Sequence, residues 1–323
     1  MAATICYVAI LLPVLGIVQN GPQTTGDRYS YLSCIGPVLL LCALWGRFAG
    51  KSARIAAAWV PVGLLVVTLI VMTRQQCAVW QNTRSLWAQA LRVDPACVFC
   101  LNGMGRALAD AEETDEAEAR YREALRLNRS HADANTNLGN LLLEQGRIEE
   151  AMKFLARAVA QEPESGIMHY NMGNGLAALG RMDGAVREYE RGIECRNWDP
   201  PARVFSNLAF ALNAMGRFGE ASVAAQRAVQ SDPESALAHY NLGVARLRSG
   251  DIDAGVASFR SSVRCEPDEA KGYVEMARAL READRSGAAR EILLAGLARF
   301  PDDAGLAREL ERLAPAIGAD GQD

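Results

Sequence analysis

A period of 34 residues runs through the C-terminal two thirds of the chain and leaves few folds open to it. Small residues recur at Gly105, Gly139, Gly173, Ala209, Gly243 and Ala277, at spacings of 34, 34, 36, 34 and 34. Twelve residues after each comes a second small residue: Ala117, Ala151, Ala185, Ala221, Gly255 and Ala289. Seven further on stand Ala124, Ala158, Gly192, Ala228, Ser262 and Gly296. Glycines recur at Gly146, Gly180, Gly216 and Gly250, and prolines at Pro163, Pro233, Pro267 and Pro301, with Pro200 serving after a two-residue insertion. Each unit therefore reads as two antiparallel helices crossing closely. Small residues sit where the backbones meet, glycine makes the tight turn and proline stops the second helix. No unit can bury its apolar face alone, so the units must stack.

This pattern resembles the tetratricopeptide repeat, with six units in register over residues 96–303. Upstream, Trp87, Ala90 and Pro95 occupy the places of a second helix in the same register, so 74–95 reads as a connecting half repeat. Repeat six has Asp284 where the turn glycine belongs and reads as the terminal unit. Residues 304–323 are then a C-terminal cap and acidic tail, frayed from Ala314.

Residues 1–73 are different in kind. Three apolar runs, 3–19, 31–46 and 55–73, are separated by short polar loops. A membrane-crossing helix needs about 20 apolar residues, about 17 at the least. The third run meets this, and the first two do so with flanking Gln19, Tyr31 and Gly46. The first lacks the basic start and small-residue cleavage site of a signal peptide. The expected fold is all-α: three transmembrane helices followed by an α-solenoid of tetratricopeptide repeats, the third span running into the first solenoid helix with almost no linker. The loop 46–54 carries Arg47, Lys51 and Arg54 with no acid, which puts it in the cytoplasm and the repeats on the extracytoplasmic side. Basic residues are nearly all arginine, which favours a GC-rich bacterial genome and hence an integral protein of the bacterial inner membrane. Arg74, just outside the third span, opposes this orientation weakly. The one glycosylation sequon, Asn128-Arg129-Ser130, matters only in a eukaryotic lumen.

Repeat positions 2, 6, 9 and 13 of each first helix are left to line the open side of the stack. Position 6 carries Asn137, Asn171, Asn207 and Asn241 in four consecutive units, between Gly103 and Glu275, and position 9 adds Asn140 and Asn174. An amide with one acceptor and two donors pairs with a peptide backbone, so such a ladder suits an extended polypeptide. It resembles the asparagine ladder in the repeats of O-GlcNAc transferase, which implies a groove for substrate chains. The competing reading is that these amides satisfy neighbouring helices. A charge clamp for acidic termini is disfavoured, because basic residues on the stripe are sparse: Arg106, Arg203, Arg248, Lys271 and Arg278. The net charge of −4 excludes nucleic acid as the expected partner.

The first loop carries Gly26-Asp27-Arg28-Tyr29-Ser30-Tyr31-Leu32, after Leu12-Pro13 and before Ile35-Gly36, and Trp80-Gln81-Asn82-Thr83 and Leu86-Trp87 follow at the repeat entry. In that order these segments resemble the late membrane region of the O-mannosyltransferases that carry tetratricopeptide repeats, with Ser33 departing from the family's proline. The resemblance implies a GT-C glycosyltransferase using a polyprenyl-phosphate sugar. On it, Arg28 would hold a lipid phosphate and Asp27 would orient it or contact the sugar; the plain alternative is an interface ion pair. The family's catalytic acid lies in an earlier loop that this chain does not contain, so a truncated or catalytically incomplete protein is expected. No cofactor or metal pattern is present. Cys97-Val98-Phe99-Cys100 lacks the second pair that zinc needs and is expected to fill a helix face, a redox pair being the next reading. His131, His169 and His239 fall in repeat helices without a nucleophile beside them.

Overall fold

A computed structural model describes residues 79–266 and 270–313, together with Leu64, Val67 and Val71. The same turn recurs six times and sets the architecture. The amide of the residue after each turn reaches back five positions: Glu113 to Leu108, Arg147 to Leu142, Arg181 to Leu176, Arg217 to Leu212, Asp251 to Arg246 and Arg285 to Leu280, all at 2.8–3.0 Å. This left-handed helix ending demands positive φ at one residue. Gly146, Gly180, Gly216 and Gly250 supply it at 72–90°. Glu112 and Asp284 adopt it too, at 62° and 57°. Repeat one thus lacks its turn glycine as repeat six does, and both keep the turn.

Fourteen α-helices fill the described residues. The first, α1 (Thr83–Val93), precedes six antiparallel pairs: α2 (Val98–Ala109) with α3 (Thr114–Leu127), α4 (Ala132–Glu144) with α5 (Ile148–Gln161), α6 (Gly166–Ala178) with α7 (Met182–Glu194), α8 (Ala202–Ala214) with α9 (Phe218–Ser231), α10 (Ala236–Arg248) with α11 (Ile252–Cys265), and α12 (Lys271–Glu282) with α13 (Ser286–Arg299). The last helix, α14 (Ala304–Leu313), closes the row. Two of the first helices begin on His and Ser side-chain caps: His131 Nδ1 accepts from Ala134 N–H, and Ser235 Oγ from Ala238 N–H. His131 is therefore a cap just outside its helix, not a helical residue.

The periodic small residues lie where close approach requires them. A Cβ on Gly173 would stand 2.5 Å from the Tyr189 ring, and one on Gly105 2.5 Å from the Tyr121 ring. Both tyrosines are fully buried. Burial pushes the Tyr121 hydroxyl up to about 12. The apolar interior runs from Leu101, Leu108, Tyr121, Leu138 and Leu142 through Val186, Tyr189 and Leu212 to Phe259, Leu280 and Leu293. Buried Leu306 of α14 covers the last pair. In the longer connection between α7 and α8, the Trp198 ring lies over Gly166 and Gly192, where only glycine leaves it room. Next to it, buried His169 donates through Nε2 to the Pro163 carbonyl at 2.8 Å, and its Nδ1 lies 2.7 Å from Glu188 Oε2.

The chain divides into two compact units, residues 1–86 and 87–323. Within the first, Asn82 Oδ1 accepts from Ser85 N–H at 2.8 Å and so caps the start of α1. Leu64, Val67 and Val71 are each helical and exposed. The expected spans 3–19 and 31–46, all of 55–73 but those three residues, and the join to the solenoid lie outside the described residues. Among the described residues, no helix is long and apolar enough to cross a membrane. Residues 314–323, expected as the tail, also lie outside them.

Candidate functional site

The first helices line a groove that includes a cavity of about 380 Å³ across repeats one to four. Asn137, Asn140 and Asn171 line it, with Trp87, Phe99, Ile167 and Tyr170 as apolar wall and Arg106, Arg203 and Asp133 at its edge. Positions 2, 6 and 9 face it as the period predicts. Position 5 does so as well, through Asn102, Thr136 and Tyr170. This aromatic wall is what sequence reasoning missed. Its signal was Tyr170 and Tyr240 at position 5, each followed one repeat later by a cation at position 2. Arg203 lies 5.7 Å from the Tyr170 ring centre, and Lys271 4.5 Å from that of Tyr240.

The asparagines are not a uniform ladder. Gly103 stands at position 6 of repeat one because the Trp87 ring fills the site: a Cβ there would be 2.4 Å from it. Asn137 Nδ2 donates to Asn102 Oδ1 at 3.0 Å. Asn207 Nδ2 donates to Asn174 Oδ1 at 2.9 Å and to the Tyr170 hydroxyl at 3.3 Å. Asn174 Oδ1 also accepts from the Tyr189 hydroxyl at 2.8 Å. Asn241 is 2% exposed and donates to the Ser206 carbonyl at 2.9 Å. So Asn241 corrects the expectation of a groove-lining amide: it ties α10 to α8. Asn171 differs. It is 6% exposed and lines the cavity, yet no described residue hydrogen-bonds its side chain. Asn140, half-buried on the same wall, is equally unpartnered among the described residues.

At one end of the groove, Cys97 and Cys100 form a disulfide, with Cα atoms 5.2 Å apart. The expectation that both fill a helix face is corrected. Cys97 is the N-cap of α2, extended at φ −66° and ψ 100°, so its side chain folds back over the first turn instead of pointing along the helix face. Its Sγ accepts from Cys100 N–H at 3.2 Å. Asp27 and Arg28, the donor-site candidates, lie outside the described residues.

Elsewhere, Arg122 and Arg147 bridge Glu118 and Glu150 across α3 and α5 at 2.6–2.7 Å. Burial pushes Glu118 up, but the two guanidiniums outweigh it and hold the carboxyl below its ordinary range. Glu150 is lowered by hydrogen bonds from Arg122 and then Arg147.

The paired helices and their repeating turn have the architecture of tetratricopeptide repeats. Two tetratricopeptide repeat family models match residues 108–172 and 208–270. In sequence the chain is similar to human "Protein O-mannosyl-transferase TMTC3", 21% identical over 84% of this chain and 35% of that protein. The mouse protein of the same name is 22% identical over 48% of this chain and 17% of its own length. The chain thus spans at most about a third of these relatives. In fold it is similar to PilW, a type IV pilus biogenesis factor, with a TM-score of 0.61 at 16% identity, covering 66% of this chain and 98% of that one.

Proposed function

We propose that this is a membrane-anchored tetratricopeptide repeat protein whose groove holds an extended polypeptide segment of a protein partner on the extracytoplasmic side. The observation that carries the reading is Asn171, a largely covered residue that lines the cavity and whose side-chain amide has no hydrogen-bond partner among the described residues. An amide that opens onto the groove and has no partner within the repeats is free to meet a ligand, and a peptide backbone is the ligand whose donors and acceptors match it. Asn140 offers a second such group, while Trp87, Phe99 and Ile167 offer a surface for an apolar side chain. Anchoring is supported by the three apolar runs and by the exposure of the apolar side chains of Leu64, Val67 and Val71. The side is supported by the basic loop 46–54 and by the Cys97–Cys100 disulfide, since such bonds persist in oxidising compartments.

The test is fluorescence anisotropy of a labelled extended peptide with the full chain and with the Asn140→Ala/Asn171→Ala variant. Loss of binding in a folded variant is expected; unchanged binding overturns the reading. Protease protection of the repeats in intact cells tests their side of the membrane.

A second reading is the C-terminal part of a GT-C protein O-mannosyltransferase-like enzyme. The human alignment favours it, because 84% of the chain is more than the repeats supply, so the similarity extends into the apolar N-terminal stretch. On this reading Arg28 and Asp27 hold a polyprenyl-phosphate sugar and the groove holds the acceptor chain. Binding of polyprenyl-phosphate mannose that survives Arg28→Ala unchanged would exclude the assignment of Arg28.

A further inference from the structure

The geometry points to Cys97–Cys100 as a thiol–disulfide exchange site for a cysteine-bearing polypeptide held in the adjoining groove, with Cys97 Sγ as the exchanging sulfur. Part of this, the presentation of the polypeptide, rests on the groove reading above.

Three features distinguish this bond from a structural staple. It closes a loop spanning a sequence separation of only three residues, the regime in which a cross-link restricts the unfolded chain least. The interior of the first repeat, built on Leu101, Leu108 and Tyr121, is packed without help from it. And the two sulfurs stand in unequal settings. Cys100 is 9% exposed, whereas Cys97 is half-buried at the helix start. An attacking thiolate reaches Cys97 more readily.

The surroundings fit the chemistry on both sides of the reaction. When the bond is open, a Cys97 thiolate keeps the Cys100 N–H donor and sits at the positive end of the twelve-residue helix α2. The two free thiols among the described residues lack this: burial, then neighbouring carboxylates, push Cys195 up, and burial does the same to Cys265. The ligand side is equally specific. Phe99, the residue between Val98 and Cys100, is 54% exposed, packs edge-on against Trp87 with centroids 5.4 Å apart, and lines the cavity that Asn171 also lines. A polypeptide bound through Asn140 and Asn171 thus runs towards the disulfide.

The exchange balances as follows. A peptide thiolate attacks Cys97 Sγ; a peptide–Cys97 bond forms, the Cys97–Cys100 bond breaks, and its electron pair leaves on Cys100 Sγ, which takes a proton. A second peptide thiolate attacks the peptide sulfur of that mixed disulfide and releases Cys97 as thiolate, which is then protonated. The peptide dithiol loses two electrons and two protons, and the cysteine pair gains them. A low-molecular-weight disulfide such as oxidised glutathione restores the pair by the same steps in reverse.

The full-length chain is tested as Cys100→Ala, Cys97→Ala and the double variant, each checked for helicity by circular dichroism. The probes are dithiobis(nitrobenzoate), a small disulfide, and a short peptide whose single cysteine carries thionitrobenzoate; release of thionitrobenzoate is followed by absorbance. After subtraction of the double variant, which reports all other cysteines, Cys100→Ala is expected to react about tenfold faster than Cys97→Ala with either probe. An excess of the same peptide without cysteine should slow the peptide probe and leave the small one alone. Equal rates for the two single variants overturn the exchange site. A Cys97 rate advantage with no competition by the cysteine-free peptide overturns the groove's part in it and leaves the site standing.

Discussion

Deleting the same amide at two positions of one ladder separates architecture from binding. In Asn241→Ala the lost Nδ2 donor leaves the Ser206 carbonyl, 2.9 Å away, without its inter-repeat bond, at a site only 2% exposed. A buried hydrogen bond and the small void beside it amount to about 2 kcal/mol, or about thirtyfold in the local folding equilibrium. In Asn171→Ala no bond within the described residues is lost, so the stability change should stay within about 0.5 kcal/mol. Binding should respond in the opposite sense. Two peptide hydrogen bonds at about 1 kcal/mol each weaken Kd by about thirtyfold in Asn171→Ala. In Asn241→Ala the affinity should be unchanged where the fold persists. Urea unfolding by far-ultraviolet circular dichroism reads the first effect and peptide anisotropy the second. If Asn171→Ala destabilises as much as Asn241→Ala, its amide is structural and the distinction drawn here fails.

Other consequences are equally open to measurement. Gly173→Ala gains about 1 kcal/mol of helix propensity but drives a methyl group into the Tyr189 ring, which is held by its bond to Asn174; overpacking of about 1–3 kcal/mol wins, so thermal unfolding should come earlier. Gly219→Ala, with nothing within 4 Å of the new methyl, should instead stabilise by about 0.5 kcal/mol. Glu112→Gly and Asp284→Gly relieve left-handed backbone and should each stabilise by about 1 kcal/mol, Glu112→Gly more because aspartate tolerates that conformation better; a lower melting temperature would contradict this. Glu118 and Glu150 are depressed in the folded state, so their contribution is present above the ordinary glutamate range and is lost as pH falls through their lowered values. The protection factors of amides in α3 and α5, corrected for the intrinsic exchange rate at each pH, should therefore fall in acid, modestly because the arginines are exposed, and Glu118→Gln/Glu150→Gln should flatten that profile.

The repeat was legible because helix crossings force small residues at fixed intervals, and Gly173 against Tyr189 shows the force directly. For the same reason position 6 turns to the cavity at Asn137 and Asn171, though not at Asn241. Whether an amide there is free was not legible. That depends on residues about 33 to 37 positions away, Asn102 for Asn137, Asn174 and Tyr170 for Asn207, Ser206 for Asn241, whose side-chain rotamers a period does not encode. Glu112 escaped notice because a left-handed turn is read from glycine, and here the surrounding turn imposes the conformation on a glutamate. The disulfide ranked behind helix-face filling in the sequence because it hinges on α2 starting one residue after Cys97; a start one residue earlier would have put both cysteines in the helix.

The insertion that carries Trp198 has a bearing on slippage. In an array of identical units, a bound chain shifted by one repeat meets the same contacts again, and its position is degenerate. Here translation by one unit fails on both sides: Trp87 occupies the place of an asparagine at one end, and the longer Trp198 connection breaks the 34-residue spacing before repeat four. On the proposed reading, a chain resting on Asn140 and Asn171 would meet Asn174 and Asn207 one unit on, but those amides are already bonded to each other, so the irregular units would act as end-stops that set where along its own length a ligand is read.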